Sequence, residues 1–595
     1  MPGPNRPKIA KPKNLKKSAS RFLASLKKHR LSLLIICILA AISTALTIFG
    51  PKILGNMTTS ALESIMSTGK INWEPIINSA ITLLLLYIIS AVISYIQEFI
   101  LAIISARYTA HLRSQILEKI NHLPMSYFDK VPFGDTLSRM TNDVDTIAET
   151  MRNSITEIIS NITMIIGILI MMLTISLPLS AIAVITVPIS LVVVAKVMSG
   201  AQKHFRNQRT YLGHVNSIVE EDYTGQQIIK VNTHTSTSYA HFKDHNDKLY
   251  EASWKSQFLS SLAFPITHIF TNLGYVAICI MGGYLSVNRA IAIGDVQAFI
   301  QYVNQFNRPI TQIANIAATL QQTLAAAERI FTFLDEPNES PDPSKSTTIT
   351  NVKGAVEFQD VNFSYVKNKP IIKNFTANIK PSQQVAIVGP TGAGKTTLVN
   401  LLMRFYDPDS GTITIDGVPT KDMKRSDVRN LFGMVLQDTW LFSGSIADNL
   451  KYGKDKATLQ DVKQAAEITG VDHFIESLPH GYQTIIDEDS DNISAGEKQL
   501  LTITRAIVAD PPMIILDEAT SNVDTRTEEL IQKAFDKLTH GRTSFVIAHR
   551  LSTIRNADLI LVMKDGNIIE QGTHDTLLKA NGFYANFYNS QFEDV

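Results

Sequence analysis

Cysteine is scarce in this chain of 595 residues, which contains only two. Cys37 and Cys279 both lie inside apolar runs. So few cysteines exclude a disulfide framework and a zinc site built from cysteine ligands. We therefore expect both thiols to be inert parts of apolar helices.

Acidic residues are absent from residues 1–30, which contain ten Lys and Arg. The apolar run that follows, 31–50, is about twice as long as the hydrophobic region of a signal peptide, and no clear cleavage site follows it. We interpret it as a membrane span, with signal-peptide cleavage as the alternative. Because basic residues beside a first span stay in the cytoplasm, residues 1–30 are predicted to be a cytoplasmic segment.

The chain is too apolar for an ordinary soluble protein, with 45% hydrophobic residues and a mean hydropathy of +0.07. Six stretches could each supply the roughly 20 helical residues that cross a bilayer. They lie near 31–54, 77–104, 154–176, 178–198, 257–287 and 294–325. The count is even, and the long charged loops follow spans two and four. This pattern predicts a multi-pass protein of the cytoplasmic membrane with both termini in the cytoplasm.

Two of the loops carry further information. Spans three and four are so close that they predict a tight hairpin turning at Pro178. The charged segments 105–153 and 199–256 keep a helical repeat of apolar residues, so the membrane helices are predicted to continue far into the cytoplasm.

The composition and the hydrophobic pattern of the chain change after the sixth span. Residues 331–353 are predicted to be a linker, since they include a stretch rich in Pro, Ser and Asp. Residues 354–595 alternate between short apolar strands and helices, as α/β domains do. The predicted fold class is a multidomain membrane protein, in which a six-helix transmembrane domain (31–330) with long cytoplasmic helix extensions is fused to an α/β nucleotide-binding domain.

A phosphate-binding loop stands between an apolar strand and a helix of the second domain. Its run fits G-x-x-x-x-G-K-T: Gly389, Pro390, Thr391, Gly392, Ala393, Gly394, Lys395 and Thr396, with Thr397 next. Glycines let backbone N–H groups surround the phosphates, Lys395 reaches the β and γ oxygens, and the Thr396 hydroxyl binds Mg²⁺. The sequence therefore predicts ATP and Mg²⁺ as cofactors.

A second apolar strand ends in Asp517 and Glu518. Open α/β sheets bind their ligands at the carboxyl ends of strands. We expect Asp517 to hold the metal and Glu518 to polarise the attacking water, whereas a solvated strand end is the alternative for two acids taken alone.

Together these features resemble a half-transporter of the ATP-binding-cassette (ABC) exporter family, over nearly the whole chain after residue 20. The resemblance implies that Tyr365 stacks on adenine and that His549 contacts the γ-phosphate. It implies that Gln437 links the γ-phosphate and metal to the membrane domain, and that Asp524 lies in a loop facing the opposite nucleotide site. Packing or surface roles are the alternatives for Tyr365, Gln437 and His549. Segments 125–135 and 212–227 resemble the coupling helices of the family, with solvated stalks as the alternative.

The signature loop of the family is altered here. The expected Leu-Ser-Gly-Gly-Gln run reads Ile493, Ser494, Ala495, Gly496 and Glu497. In the family this loop covers ATP bound to the other subunit, so an added Cβ and a carboxylate are expected to weaken that contact. With the hydrolytic residues intact, this pattern resembles the heterodimeric bacterial exporters, which pair one competent with one degenerate ATP site. A tolerated variant in a homodimer is the alternative.

Amides follow one face of the sixth span, and an aromatic stripe lies beside them. The polar residues are Gln297, Gln301, Asn304, Gln305, Arg308 and Gln312; the aromatic residues are Phe299, Tyr302 and Phe306. Polar groups at membrane depth face a bundle interior or a wet cavity. Both a lining for the transport pathway and hydrogen bonding between helices explain them.

The prediction for the whole chain is ATP-driven export of hydrophobic or amphipathic compounds, drugs among them. The expected partners are a second, non-identical half-transporter, an amphipathic small molecule and the lipid bilayer, with no nucleic acid. Export of lipids or peptides, a homodimeric exporter and an ATP-gated channel are the alternatives.

Overall fold

The computed structural model describes residues 15–437, 439–486, 493–517, 524–547 and 551–592. The chain divides into two compact units, and each is described by itself. The first contains residues 1–122 and 131–336, and the second contains residues 123–130 and 337–595. The boundary near residue 336 falls inside the predicted linker.

Helices form the first unit, and a short helix, α5, belongs to the second. They are α1 (Leu15–Ser25), α2 (Arg30–Ile48), α3 (Gly50–Thr68), α4 (Trp73–His122), α5 (Met125–Phe128), α6 (Phe133–Ser138), α7 (Val144–Ile175), α8 (Leu177–Thr224), α9 (Gln226–Val231), α10 (Thr235–Ser261), α11 (Ala263–Val287) and α12 (Ile293–Leu334). The predicted extensions are confirmed: α4 and α8 continue for 50 and 48 residues, far beyond their apolar segments.

Five helical stretches of the described residues are long and apolar enough to cross a membrane. They are Lys16–Thr68, Trp73–His122, Phe133–Ile175, Leu177–Thr224 and Thr235–Val287. The sixth predicted span is helical, as α12, but it is not among these five, because its amide and charged side chains lower its hydropathy. Cys37 and Cys279 are free thiols within α2 and α11, as expected.

Two details of the membrane helices differ from the sequence prediction. The hairpin between α7 and α8 turns at Ser176, which is extended (φ −163°, ψ 120°), while Pro178 lies in the first turn of α8. Proline suits that position because the first turn of a helix needs no N–H donor there. The first span is interrupted at Phe49, and Pro51 lies in the first turn of α3.

A close approach joins α3 to α12. A Cβ on Gly294 would lie 1.8 Å from the Gly55 carbonyl oxygen, so only glycine allows this contact. Beside it, Lys52 forms an ion pair with Asp295, and the Thr58 hydroxyl donates to Gln297 Oε1 at 2.5 Å. Polar contacts therefore hold these two helices together at one level of the bundle.

The aromatic stripe and Gln297 of the sixth helix contact neighbouring helices, whereas the roles of the other polar residues of the stripe stay predictions. Phe299, Tyr302 and Phe306 are buried in a core cluster with residues of α7 and α8. The Tyr302 hydroxyl donates to the Ile48 carbonyl oxygen at 2.8 Å, at the interruption of the first span. These aromatic side chains and Gln297 therefore serve packing between helices.

The second unit contains two sheets and the remaining helices. Its strands are β1 (Val356–Phe363), β2 (Ile372–Ile379), β3 (Gln384–Val388), β4 (Ser410–Ile415), β5 (Val418–Pro419), β6 (Phe432–Val435), β7 (Gly444–Ser445), β8 (Ile485–Ile486), β9 (Met513–Asp517), β10 (Thr543–Ile547), β11 (Leu559–Lys564) and β12 (Asn567–Gly572). Its helices are α13 (Lys395–Leu402), α14 (Arg425–Asn430), α15 (Ile446–Lys451), α16 (Leu459–Thr469), α17 (Asp472–Ser477), α18 (Ala495–Ala509), α19 (Thr525–Thr539), α20 (Leu551–Asn556), α21 (His574–Lys579) and α22 (Phe583–Phe592).

The larger sheet has the order β12-β11-β3-β10-β9-β6, and its pairs from β11 to β6 are parallel. Buried residues fill β3, β9 and β10, as expected for strands covered on both faces. An antiparallel sheet of order β2-β1-β4-β5 accompanies it, and the short strands β7 and β8 pair with each other.

The predicted linker is fixed to the second unit. The buried guanidinium of Arg425 donates to the Ser340 carbonyl oxygen at 2.6 Å and to Asp407 at 2.7 Å. Glu339 lies 3.2 Å from Arg425 and accepts a hydrogen bond from Arg429 at 2.8 Å. Residues near 340 therefore follow a defined path along this unit.

Candidate nucleotide-binding site

The phosphate loop connects β3 to α13, as the sequence predicts. Gly389, Gly392 and Gly394 have φ values of 151°, 83° and 102°, which other residues rarely adopt. A Cβ on Gly389 would lie 2.2 Å from the Met563 carbonyl oxygen. The loop therefore depends on glycine both for its shape and for its approach to the neighbouring strand.

Lys395 begins α13 and folds back over this loop. Its ammonium group donates to the Gly389 and Pro390 carbonyl oxygens at 2.7 and 3.1 Å. Burial lowers the pKa of Lys395, and the nearby Asp517 carboxylate acts in the opposite direction. Thr396 is exposed and Thr397 is buried. The loop thus has the cradle and the cation that a nucleotide phosphate requires.

The parallel sheet brings two of the predicted residues to the edge that carries the phosphate loop. Ile547 of β10 is in register with Ile387 of β3 on one side and with Asp517 of β9 on the other. β6 pairs with the far side of β9 and ends two residues before Gln437, which is exposed. Strand order therefore places Asp517 and Gln437 at the edge that carries the phosphate loop, where ligands bind in open α/β sheets.

Two predicted catalytic residues, Glu518 and His549, lie outside the described residues. Each follows a strand of this edge in the sequence: Glu518 is next to Asp517, and His549 comes two residues after Ile547. Their roles stay predictions. A carboxylate, an exposed hydroxyl and room for phosphate oxygens are what Mg²⁺ uses in such sites, so Asp517 and Thr396 fit the predicted metal.

Tyr365 belongs to a cluster of aromatic rings. Its ring packs edge-on against Phe363 and Tyr406, at centroid distances of 4.9 and 5.0 Å. The Asn400 side chain donates to its hydroxyl at 3.2 Å, and the tyrosine is half-buried. The ring is thus held in place near the helix that follows the phosphate loop, and its stacking on adenine stays a prediction.

Tyr406 connects this aromatic cluster to the first predicted coupling segment, a contact that sequence reasoning missed. Its hydroxyl donates to the carboxylate of Asp129, directly after α5. Burial, and after it the hydrogen bond and charge of Asp129, raise the pKa of Tyr406, so the hydroxyl stays protonated and can donate. Tyr127 of α5 is buried. A nucleotide touching Tyr365 would therefore lie against a ring that packs on Tyr406, and Tyr406 in turn holds the segment that contains α5.

We expect Tyr406→Phe to lower transport by about three- to tenfold while ATP hydrolysis changes by less than about twofold. The ring contacts with Tyr365 and Phe363 remain, but the donor to Asp129 is lost, and hydrogen bonds to charged groups contribute about 1.5 kcal/mol or more. Transport and ATPase rates measured on the same proteoliposomes test this expectation. Tyr452→Phe, which removes the hydroxyl of an exposed ring elsewhere in the unit, is the control. Equal transport by wild type and Tyr406→Phe would contradict it.

The altered signature forms a capping box at the start of α18. Ser494 is the N-cap, and its backbone N–H and its hydroxyl both donate to Glu497 Oε2 at 2.8 Å. The Glu497 N–H donates back to the Ser494 hydroxyl at 3.3 Å. The spacing Ser-x-x-Glu is a recognised signal for this arrangement, so the sequence could have revealed it. The Glu497 carboxylate therefore already accepts a hydrogen bond from the serine hydroxyl that the family uses to contact ATP.

Asp524 has a local structural role at the start of α19. Its carboxylate accepts hydrogen bonds from the N–H groups of Arg526 and Thr527 at 3.1 and 3.0 Å. A hydrogen bond from the Thr527 side chain, and after it these backbone hydrogen bonds, lower the pKa of Asp524. The side chain is exposed in the single chain, so the predicted contact with an opposite subunit stays a prediction. Ala495 is likewise exposed, whereas Gly496 is buried.

Comparison with known proteins identifies both units. Residues 33–310 match the family model of the ABC transporter transmembrane region, and residues 372–521 match that of the ABC transporter ATP-binding domain, described as "ABC transporter". The chain is 46% identical, over 84% of its length and 79% of the relative, to the fatty acid ABC transporter ATP-binding/permease protein of Mycobacterium tuberculosis. It is 36% identical, over 98% of its length and 96% of the relative, to YfiC, an uncharacterized ABC transporter ATP-binding protein of Bacillus subtilis.

A solved structure supports the same assignment. The chain is similar to a bacterial Atm1-family ABC exporter with ATP bound, with a TM-score of 0.70 and 26% identity over 96% of this chain and 99% of that one. The phosphate loop, the acid after β9 and the apolar helices lie within matched regions. The chain therefore belongs to the ABC transporter family, as an exporter half-transporter that fuses a transmembrane helical domain to an ATP-binding domain and couples ATP hydrolysis to transport.

Proposed function

We propose that this chain exports hydrophobic or amphipathic compounds across the cytoplasmic membrane, with both termini in the cytoplasm. The carrying observation is that one chain contains long apolar helices and a sheet edge with a phosphate loop, Asp517 and Gln437. The relative named as a fatty acid transporter supports an amphipathic substrate. Drugs are included in the proposal because a pathway for amphiphiles selects by shape and polarity.

The nucleotide edge supports a division of labour among its residues. Lys395 would neutralise the β and γ oxygens of ATP, and Thr396, Asp517 and Gln437 would together hold Mg²⁺. ATP supplies the reacting phosphoryl group, and Mg²⁺ balances its charge. Glu518 polarises the attacking water, and His549 stabilises the charge that develops on the γ-phosphate.

We further propose that the working transporter is a heterodimer. In the capping box, the Glu497 carboxylate lies at the positive end of α18, where the signature would otherwise meet a partner's ATP. Two unit charges about 8 Å apart repel by roughly 2 kcal/mol at an effective dielectric of 20. The added Cβ of Ala495 further limits the approach of a phosphate. Both effects weaken one of the two shared sites, and a partner with an intact signature would supply the other.

This pairing predicts an asymmetric response to one substitution. Ser494→Ala should lower the ATPase of the complex by less than about threefold, because the Ser494 hydroxyl already donates to the Glu497 carboxylate and therefore contributes little to holding a partner's phosphate. The matching serine of the partner covers the ATP held by Lys395, so its removal should be severe. We also expect the partner to lack an acid equivalent to Glu518. Steady-state ATPase of the two single variants measures the difference.

Two results would contradict the heterodimer. One is an equal loss of ATPase from the two serine variants. The other is full activity of this chain purified alone, which would mean that the capping box keeps the helix start intact and the altered signature is tolerated in a homodimer.

Uphill transport tests the export function itself. Inside-out proteoliposomes that already contain more of an amphiphile than the outer solution should accumulate still more of it when ATP is added. An ATP-gated channel would only dissipate the gradient. Failure to accumulate any amphiphile against its gradient, at normal ATPase activity, would contradict export.

A further inference from the structure

A large open cavity lies along α8, next to its apolar segment. Its volume is about 1270 Å³, larger than the 300–1,000 Å³ or so of most ligand pockets. The lining includes Ala195, Met198 and Phe205 together with Lys203, Arg206 and Arg209. Apolar and cationic side chains thus share one cavity.

The lining residues of α8 follow one face of the helix. Positions 195, 198, 202, 206 and 209 recur at steps of three or four, which places them on a single stripe. The stripe through Ala201 and Gln208 is the one that packs: Ala201 is buried, and Gln208 accepts a hydrogen bond from Ser256 of α10 at 2.9 Å. The cations therefore lie on the face that α8 leaves open to the cavity.

The part of α8 that lines the cavity carries positive charge and no acid, since the acidic residues of this helix lie near its end, at 220–222. Between residues 177 and 219 the chain contains four Lys or Arg and no Asp or Glu. None of the ion pairs among the described residues includes Lys203, Arg206 or Arg209. On the neighbouring α10, Asp244 and Glu251 pair with Lys248 and Lys255 of their own helix. The cavity thus has an excess of positive charge.

The order of side chains matches an amphiphile. Met198 lies at the end of the apolar segment, and Arg206 follows eight residues later, about 12 Å along the helix axis. An apolar tail could lie against Ala195 and Met198, with its head group against the two arginines. Arginine binds carboxylate and phosphate oxygens through paired, charge-assisted hydrogen bonds.

We propose that this cavity binds the anionic head group, a carboxylate or a phosphate, of an amphiphile that the transporter carries. The inference rests on the proposed export of amphipathic compounds and names their charge. The positive-inside bias of membrane proteins accounts for cations near a span, but it does not require three of them to line one cavity. The same chemistry would also bind the head group of a bilayer lipid, and the experiment separates the two sources.

The test measures equilibrium binding of a fluorescent palmitate analogue to the full-length transporter in phosphatidylcholine nanodiscs. The Arg206→Gln/Arg209→Gln double variant should bind about tenfold more weakly, because both charge-assisted contacts are lost. Arg206→Lys/Arg209→Lys should restore most of the affinity. Lys243→Gln, which removes an exposed cation from α10 outside the lining, should bind like wild type. The uncharged methyl ester should not distinguish wild type from the double variant.

Three outcomes would overturn the inference. The first is equal palmitate affinity of wild type and the folded double variant, with basal ATPase as the check on folding. The second is an equal loss for palmitate and its methyl ester. The third comes from a separate experiment with phosphatidylglycerol in the nanodiscs. If this lipid displaces the fluorescent probe and stimulates the wild-type ATPase, while unlabelled palmitate does neither, the site holds a bilayer lipid. Uphill transport of an uncharged amphiphile alongside any of these would leave the export proposal standing.

Discussion

Glu518→Gln is expected to lower steady-state ATPase by about 10² to 10⁴-fold while ATP still binds, since that is the usual contribution of a positioned general base. The amide keeps the size of the side chain but cannot accept a proton from water. The phosphate loop, Lys395 and Asp517 are untouched, so the nucleotide cradle remains. ATPase of the reconstituted transporter and binding of a fluorescent ATP analogue should be measured on the same preparation.

The control for this variant is Glu529→Gln, on an exposed position of α19 in the same unit. It removes an equal charge away from the sheet edge and should leave turnover near that of wild type. Residual ATPase above about a tenth of wild type in Glu518→Gln would reject a general-base role, because a loss of less than about tenfold is smaller than such bases contribute.

Lys395→Ala is expected to weaken ATP binding and to lower ATPase by about 10² to 10³-fold, the usual cost of removing one stabilising group from a site where charge develops. The ammonium group bridges two carbonyl oxygens of the phosphate loop, at Gly389 and Pro390. Its loss therefore affects both the shape and the charge of the cradle. Nucleotide affinity distinguishes this variant from Glu518→Gln, which keeps ATP bound.

Lys380→Ala provides the matched comparison, because Lys380 is exposed and follows β2, outside the loop. Its ATP affinity and ATPase should match those of wild type. If Lys395→Ala bound ATP as tightly as this control, the loop would not be the phosphate site.

The altered signature shows how structure changes the meaning of a motif. From the sequence, Glu497 was an obstacle to a partner's phosphate. The structure adds that the carboxylate bonds to Ser494 and stabilises the start of α18. The contact that stabilises the start of the helix uses the Ser494 hydroxyl, so the same hydroxyl is less available to contact a nucleotide.

The sixth span shows what helical periodicity leaves open. The aromatic stripe on the sixth span is buried in a helix core, and Gln297 is bonded to Thr58. Periodicity shows that residues share a face of a helix, but it does not show what covers that face. The cationic stripe of α8 has the same periodicity, and its role depends on the cavity beside it.

The sequence by itself determined the phosphate loop, the strands around it and the long helices. Each depends on residues close together in the chain: glycines for a tight loop, apolar runs for buried strands, and apolar length for membrane helices. Only the tertiary structure decided which distant residues meet. Strand order brought Asp517 and Gln437 to the edge of the phosphate loop, and Tyr406 met Asp129 across 277 residues of sequence. Such contacts depend on topology and packing, which no local pattern encodes.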